Sequence, residues 1–175
     1  EDGRWQIVHI HHSIPYFDQA KGEYYPKALS AKVREALALA KQAQLAGEVP
    51  VGAVVVHEGN IVARARNERE TTGDPTAHAE VLALRRAAAA LGRRRLKGCT
   101  LVVTLEPCPM CAGAIAMSGI DEVLFGAYDP RCGCAGSLYN LPEDAAFGHV
   151  IPCSGGLLEA ECQGMLDAFF DSRRG

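Results

Sequence analysis

The chain has 175 residues, of which 48% are hydrophobic and 22% are charged, a composition typical of one globular domain with its own core. These proportions exclude a disordered tail, a collagen-like chain and a disulfide-stapled miniprotein, and no apolar run approaches the ~18 residues of a membrane span. The formal net charge of −3 hides an asymmetry: residues 61–97 carry nine basic and four acidic side chains, which could contact phosphate groups or simply form a solvated helix face.

The first 27 residues are predicted to be an irregular leader, and residues 28–175 a single domain. Histidines at positions 9, 11 and 12 could bind a metal ion, but we interpret them as part of a flexible or vector-derived segment. The start of the sequence lacks the apolar block of a secretory signal, and seven is an odd number of cysteines. We therefore expect a cytoplasmic protein with reduced thiols, some of them metal ligands and the others small core residues.

Hydrophobic periodicity and turn residues predict helices and strands that alternate along the domain. In chain order they are a helix over 28–46, a β-hairpin over 51–66, a loop over 71–74, a helix from Asp74-Pro75 to Leu91, a strand over 100–105, a short helix over 111–118, a strand over 123–127, a long loop over 128–148, an edge strand over 149–153 and a helix over 157–170. This order predicts an α/β fold with a mostly parallel sheet covered by helices on both faces.

Two short segments near predicted helix starts carry metal-binding residue types. His78 precedes Glu80 by two residues, and Cys108 precedes Cys111 by three. Cysteines three apart share one helix face, and the positive end of a helix favours the thiolate form that binds metal. One imidazole and two thiolates provide three ligands for a tetrahedral Zn²⁺ and leave its fourth position for water, as in catalytic zinc sites.

Other interpretations of these cysteines remain open. Cys132 and Cys134 could close a structural site, and His149 is a more remote candidate for a fourth ligand. A Cys-x-x-Cys pair alone could also be two buried thiols or a redox pair.

The carboxylate of Glu80 would lie beside the predicted metal. There it can accept a proton from the attacking water and return protons to a ring nitrogen and a departing amine. Taken alone, Glu80 could equally be a helix N-terminal carboxylate favoured by the helix dipole. The combination His-x-Glu followed by Pro-Cys-x-x-Cys, however, is the signature of the zinc nucleobase deaminases.

Residues from about 30 to 174 resemble the bacterial tRNA-specific adenosine deaminases, within the cytidine deaminase superfamily. The blocks that carry the resemblance are residues 47–53 (GEVPVGA), 74–80 (DPTAHAE), 104–114 (TLEPCPMCAGA), 125–127 (FGA), 136–138 (GSL) and 169–170 (FF). The resemblance implies a five-stranded mixed sheet sandwiched by helices, one zinc per subunit, a homodimer, and conversion of the wobble adenosine of a tRNA anticodon to inosine.

Individual residues match the functional residues of that family. His78, Cys108 and Cys111 match the zinc ligands and Glu80 matches the proton shuttle. The substrate-binding residues of the family are matched at Asn67, which would hydrogen-bond the flipped base, and at Asp129, in a loop near the substrate. The sequence departs from the family pattern in the same loop, with an arginine where lysine is common and two unusual cysteines, and at positions 119 and 148.

Two classes of function follow from these observations. The favoured one is a deaminase acting on a tRNA anticodon loop, with a free base or nucleoside such as guanine or cytidine as the alternative substrate. The competing class is a non-catalytic zinc-stabilised RNA-binding module. Arginines 64, 66, 131, 173 and 174 could contact phosphate, and the apolar short helix over 111–118 predicts a dimer contact.

Overall fold

The computed structural model describes residues 27–148 and 150–174. The predicted histidine-rich segment and His149 lie outside these residues. The elements in chain order are α1 (Lys27–Leu45), β1 (Gly52–His57), β2 (Asn60–Arg66), α2 (Arg69–Thr72), α3 (Ala79–Leu91), β3 (Cys99–Leu105), α4 (Pro109–Ser118), β4 (Glu122–Ala127), a 3₁₀ turn (Ala145–Phe147), β5 (Cys153–Ser154) and α5 (Glu159–Asp171).

The five strands form one mixed sheet in the order β2-β1-β3-β4-β5. The pairs of β1 with β2 and with β3 are antiparallel, whereas β3 with β4 and β4 with β5 are parallel. Strand β3 lies at the centre of the sheet, and its residues Leu101 to Val103 are almost completely buried because helices cover both faces. The predicted three-layer α/β/α architecture with a five-stranded mixed sheet is confirmed.

Two hydrophobic clusters fill the spaces between the layers. One cluster packs α3 and α4 against one face of the sheet, through side chains such as Leu84 and Ile115. The other packs α1 and α5 against the opposite face, through side chains such as Val33 and Leu166. Helix α1 approaches the sheet closely at Gly52, where an added Cβ would lie 2.0 Å from the carbonyl oxygen of Ala36.

Helix α3 begins later than predicted. Asp74 does not cap it: the Oδ1 atom of Asp74 accepts hydrogen bonds from the backbone N–H (2.8 Å) and the hydroxyl (2.7 Å) of Thr76. This local turn competes with the helix, and the chain becomes helical only after His78, whose backbone is extended (φ −74°, ψ 149°). His78 is therefore the N-cap residue of α3 and not a residue inside the helix, as was predicted.

Two further elements differ from the prediction. The loop expected at 71–74 contains part of the short helix α2, whose turn is closed by the N–H of Thr72 on the carbonyl oxygen of Glu68 at 2.9 Å. The predicted edge strand over 149–153 is reduced to the two residues of β5. Proline 152 precedes β5 and contributes only its carbonyl oxygen, to the N–H of Val123. Among the described residues, every helix is too short or too polar to cross a lipid bilayer.

Candidate active site

Chain segments from several strands converge at one edge of the sheet. Strands β3 and β4 are parallel, so their carboxyl ends meet at the same edge, where α/β folds place their ligand sites. The end of β3 leads into α4, and the end of β4 leads into the loop that carries Asp129. The antiparallel hairpin brings the end of β2, and with it Asn67, to the same edge.

Three metal-binding side chains lie together at this edge. The Nδ1 atom of His78 lies 3.6 Å from the sulfur of Cys108 and 3.5 Å from the sulfur of Cys111. With Zn–S bonds of about 2.3 Å and Zn–N bonds of about 2.0 Å, two ligands of a tetrahedral zinc are roughly 3.6 Å apart. The observed separations therefore fit one tetrahedral zinc ion, and this cluster can hold it.

Both segments that provide these donors lie at helix N-termini. His78 is the N-cap of α3 and Cys108 is the N-cap of α4, where Pro109 occupies the first helical position. Cys111 follows in the first turn of α4 and is completely buried. The helix dipole makes these positions favourable for thiolates.

Hydrogen bonds within the cluster shift the pKa values of its three members. Hydrogen bonding from the Cys111 thiol, with a smaller contribution from His78, lowers the pKa of Cys108 to about 4 despite the opposing effect of burial. The same hydrogen bond and burial raise the pKa of Cys111. The hydrogen bond to Cys108 also raises the pKa of His78. A thiolate is thus already stabilised where a soft divalent metal would bind.

Glu80 provides a buried carboxyl group beside the cluster. It lies in the first turn of α3, and only 4% of the residue is exposed. Burial, the largest cause, raises the pKa of Glu80 to about 7; the nearby Cys108 acts in the same direction and His78 opposes the shift. A carboxyl group with a pKa close to neutral can both accept and donate a proton at physiological pH.

Asn67 connects the end of β2 to the start of α3. The Oδ1 atom of Asn67 accepts a hydrogen bond from the backbone N–H of Ala79 at 3.0 Å. The backbone N–H of Asn67 donates to the carbonyl oxygen of Val51 at 3.0 Å. The Asn67 side chain is therefore fixed beside His78. With Oδ1 engaged by Ala79, the Nδ2 group is the donor that this side chain can offer to a ligand.

Asp129 lies in the loop that follows β4. Its Oδ1 atom accepts hydrogen bonds from the backbone N–H groups of Arg131 (2.9 Å) and Cys132 (3.3 Å). The guanidinium of Arg131 lies over the ring of Phe170, 5.6 Å from its centroid. The Asp129 side chain thus holds the turn of its own loop, and Arg131 connects this turn to α5.

A buried carboxylate that the sequence analysis missed lies directly between β3 and α4. Glu106 is only 2% exposed, and it accepts hydrogen bonds from the backbone of Asp129, Ala135 and Ser137. The sequence feature that could have predicted this carboxylate is an acidic residue immediately after an apolar strand and before the Pro-Cys motif. A charge buried there without partners would cost free energy, so its position predicts hydrogen-bond donors around it.

The additional cysteines do not join the metal-binding cluster. Among the described residues, only His78, Cys108 and Cys111 form such a group, so the suggested contribution of Cys132 or Cys134 is wrong. Cys134 is buried under the loop after β4 and Cys132 is exposed. All seven cysteines are free, as expected for reduced thiols.

Known proteins are similar to this chain in sequence. The sequence profile of the cytidine and deoxycytidylate deaminase zinc-binding region matches residues 26–127. The tRNA-specific adenosine deaminase of Bacillus subtilis is 53% identical over 142 residues, which are 81% of this chain and 88% of the relative. The enzyme of the same name from Haemophilus influenzae is 45% identical, over 81% of this chain and 83% of its own.

A solved structure supports the same relationship. It comes from work on A-to-I editing by tRNA:A34 deaminases at the wobble position of transfer RNA. It superposes with a TM-score of 0.76 at 39% identity, covering 78% of this chain and 99% of the other. The chain therefore belongs to the cytidine and deoxycytidylate deaminase family, in the branch that contains the tRNA-specific adenosine deaminases.

Proposed function

We propose that this chain is a zinc-dependent enzyme that hydrolyses the wobble adenosine of a tRNA anticodon to inosine and releases ammonia. The observation that carries the proposal is the buried carboxyl group of Glu80 beside a three-donor cluster. A purely structural zinc site is closed by four protein ligands and needs no such carboxyl. The relatives named above support the choice of reaction and substrate.

In this proposal His78, Cys108 and Cys111 hold the zinc ion. The bound ion supplies Lewis acidity that allows water to act as a nucleophile near neutral pH. Three protein donors would leave room for a water molecule at the ion, and Glu80 lies at the same end of α3 as His78. A water molecule held at the zinc ion would therefore lie close enough to the Glu80 carboxyl group to exchange a proton with it.

Glu80 moves the protons of the reaction. Its carboxylate accepts a proton from the water that adds to C6 of adenine, and it delivers this proton to N1 of the ring. It then transfers the second proton of that water to the exocyclic amine, which leaves as ammonia when the C6–N bond breaks. Adenosine and water thus give inosine and ammonia, and the carboxyl returns to its initial state.

Asn67 and Asp129 are proposed to position the substrate. The Asn67 amide is held by Ala79, so its Nδ2 donor has a fixed direction for hydrogen bonding to a flipped base. Asp129 lies in a loop at the same edge of the sheet, where the nucleotides beside the target base would pass. A single-stranded anticodon loop suits this arrangement because its bases can be splayed out at low cost.

Basic side chains around the site support an RNA substrate. Arg131 is largely exposed (74% of its side chain) on the loop after β4, and Arg174 is exposed at the end of α5. Arg173 lies over the ring of Phe169, 4.4 Å from its centroid. Arg64 forms the shortest ion pair of these side chains, 2.6 Å to Glu35, compared with 3.5 Å for Arg174 and Asp171 and 3.9 Å for Arg131 and Asp129, so it is a weaker candidate for phosphate contact.

We infer that the active form is a cytoplasmic homodimer. Helix α4 is apolar along its length, and Met117 at its end is 82% exposed. In the loop after β4, Leu138 (51% exposed) and Tyr139 (67% exposed) are further large apolar side chains that reach solvent. Apolar side chains exposed to this extent are typical of a surface covered by a partner. The cytoplasmic location follows from free thiols and a tRNA substrate.

The proposal is tested by incubating the zinc-loaded protein with a tRNA that carries adenosine at position 34, and with free guanine, cytidine and adenosine in parallel. Inosine in the tRNA with no conversion of the small molecules is expected. Rapid turnover of a free base or nucleoside without reaction on tRNA would instead assign the chain to the small-molecule deaminases. No ammonia from any substrate would favour the RNA-binding module.

A further inference from the structure

Glu106 forms the centre of a hydrogen-bond network that the proposed chemistry does not use. Its Oε2 atom accepts from the backbone N–H of Asp129 at 2.9 Å and from the hydroxyl of Ser137. Its Oε1 atom accepts from the N–H groups of Ala135 at 3.0 Å and Ser137 at 2.9 Å. Three backbone amides and one hydroxyl therefore satisfy a carboxylate that is only 2% exposed.

The loop after β4 folds closely around this carboxylate. We call residues 128–138 the Asp129 loop. At Gly133 an added Cβ would lie 2.2 Å from the Oε2 atom of Glu106, so only glycine allows this approach. The N–H of Cys134 donates to the carbonyl oxygen of Pro107 at 2.8 Å, which brings the loop against the residue that precedes the Cys108 ligand.

The backbone of Glu106 is fixed as firmly as its side chain. Its N–H donates to the carbonyl oxygen of Ala127 at 2.9 Å, so the residue continues the pairing of β3 with β4. Two residues later lies Cys108, the N-cap residue of α4. Glu106 therefore connects the rigid end of the sheet, the start of the metal-binding helix and the Asp129 loop.

We propose that Glu106 is a positioning residue that holds the Asp129 loop in register with the metal-binding helix for recognition of the RNA substrate. This inference rests on the proposed function. Glu106 does not touch the reacting atoms in this account, and it acts through Asp129 and the neighbouring Arg131. Loss of the network should therefore weaken substrate binding much more than it slows the chemical step.

The substitution Glu106→Gln tests this role with little change in volume. A glutamine has one acceptor oxygen, and its NH₂ group must replace either Oε1 or Oε2. At the Oε1 position it would face two backbone N–H groups, whereas at the Oε2 position it faces one N–H and a hydroxyl that can reverse its role. The second arrangement is favoured, and it removes the hydrogen bond from the N–H of Asp129.

We expect Glu106→Gln to retain one zinc per chain and to raise the KM for adenosine-34 tRNA about tenfold, with kcat within about threefold of the wild-type value. Hydrogen exchange at the amide of Asp129 should accelerate. The control Glu122→Gln changes a half-buried carboxyl group at the opposite edge of the sheet and should leave KM and Asp129 exchange unchanged. An unchanged KM in Glu106→Gln, or loss of zinc and kcat together, would overturn the proposal.

Gly133→Ala provides a second test that keeps the carboxylate. The added methyl group must push the loop away from Glu106, so the same rise in KM and the same faster exchange are expected. A normal KM in this variant would contradict the proposal even if Glu106→Gln did not fold. A wild-type protein that leaves tRNA unchanged would refute the proposed function, and exchange at Asp129 in the two variants would still decide whether Glu106 anchors the loop.

Discussion

Replacement of Glu80 by glutamine is the sharpest test of the proposed proton transfer. Glutamine has nearly the same shape as glutamate, but its amide cannot shuttle a proton. Burial raises the pKa of the Glu80 carboxyl to about 7, which means that the environment tolerates a neutral group at this position. The variant should therefore keep its fold and its zinc while losing turnover.

The size of the loss follows from what surrounds Glu80. Among the described residues, its metal-binding neighbours are an imidazole and two thiols, and no second carboxyl belongs to the cluster. Because the metal would occupy these three donors, none of them could replace Glu80 as the proton carrier. General acid–base catalysis contributes typically 10²–10⁴-fold. We expect the upper part of this range, about 4 to 5 kcal/mol of activation free energy.

The assay measures inosine formed under single-turnover conditions with saturating tRNA, so that binding and product release do not limit the rate. Zinc content and thermal unfolding are measured on the same preparations. Glu122→Gln is a matched control, because burial also raises the pKa of Glu122, which lies far from the site at the start of β4. A Glu80→Gln rate within tenfold of wild type would refute the reasoning and leave Glu80 as a structural carboxyl.

Three further predictions concern the metal, the assembly and acid stability. Cys108→Ser and Cys111→Ser should each reduce zinc content well below one per chain and lower the melting temperature, and full zinc retention in both would contradict the ligand assignment. Light scattering should give about twice the 18.7 kDa chain mass, whereas Met117→Glu should shift the protein towards monomer. Burial raises the pKa of Glu48, but hydrogen bonding from the backbone N–H of Thr71 outweighs it and lowers the pKa below 4.5. The ionised carboxylate therefore stabilises the fold above that pH, and this stability is lost as the pH falls through the lowered pKa. In Glu48→Gln the free energy of unfolding should depend less on pH in this acid range.

The sequence predicted the fold class and the metal-binding cluster because both depend on local patterns. Apolar β-branched runs form the central strands, and a cysteine spacing of three places Cys108 and Cys111 on one face at the start of α4. The start of α3 was not predictable in the same way. The Asp74-Pro75 pair is a good helix start by composition, but the Asp74 side chain bonds to Thr76 and delays the helix to Ala79.

Long-range hydrogen bonds account for most of what sequence reasoning missed. Glu106 accepts bonds from residues 23 to 31 positions further along the chain, and Glu48 accepts one from Thr71, 23 positions away. Neither partner set has a local sequence signal. The roles of Glu80, Asn67 and Asp129 in catalysis and substrate binding stay predictions.

The most direct measurement of the central claim is inosine formation in a tRNA with adenosine at position 34, compared with the same tRNA carrying guanosine there. We expect inosine at position 34 of the first tRNA, one zinc per chain, and product formation about a thousandfold slower or more when Glu80 is replaced by glutamine. Conversion of a free nucleobase or nucleoside with no inosine in the tRNA, by a zinc-loaded protein, would contradict the central claim.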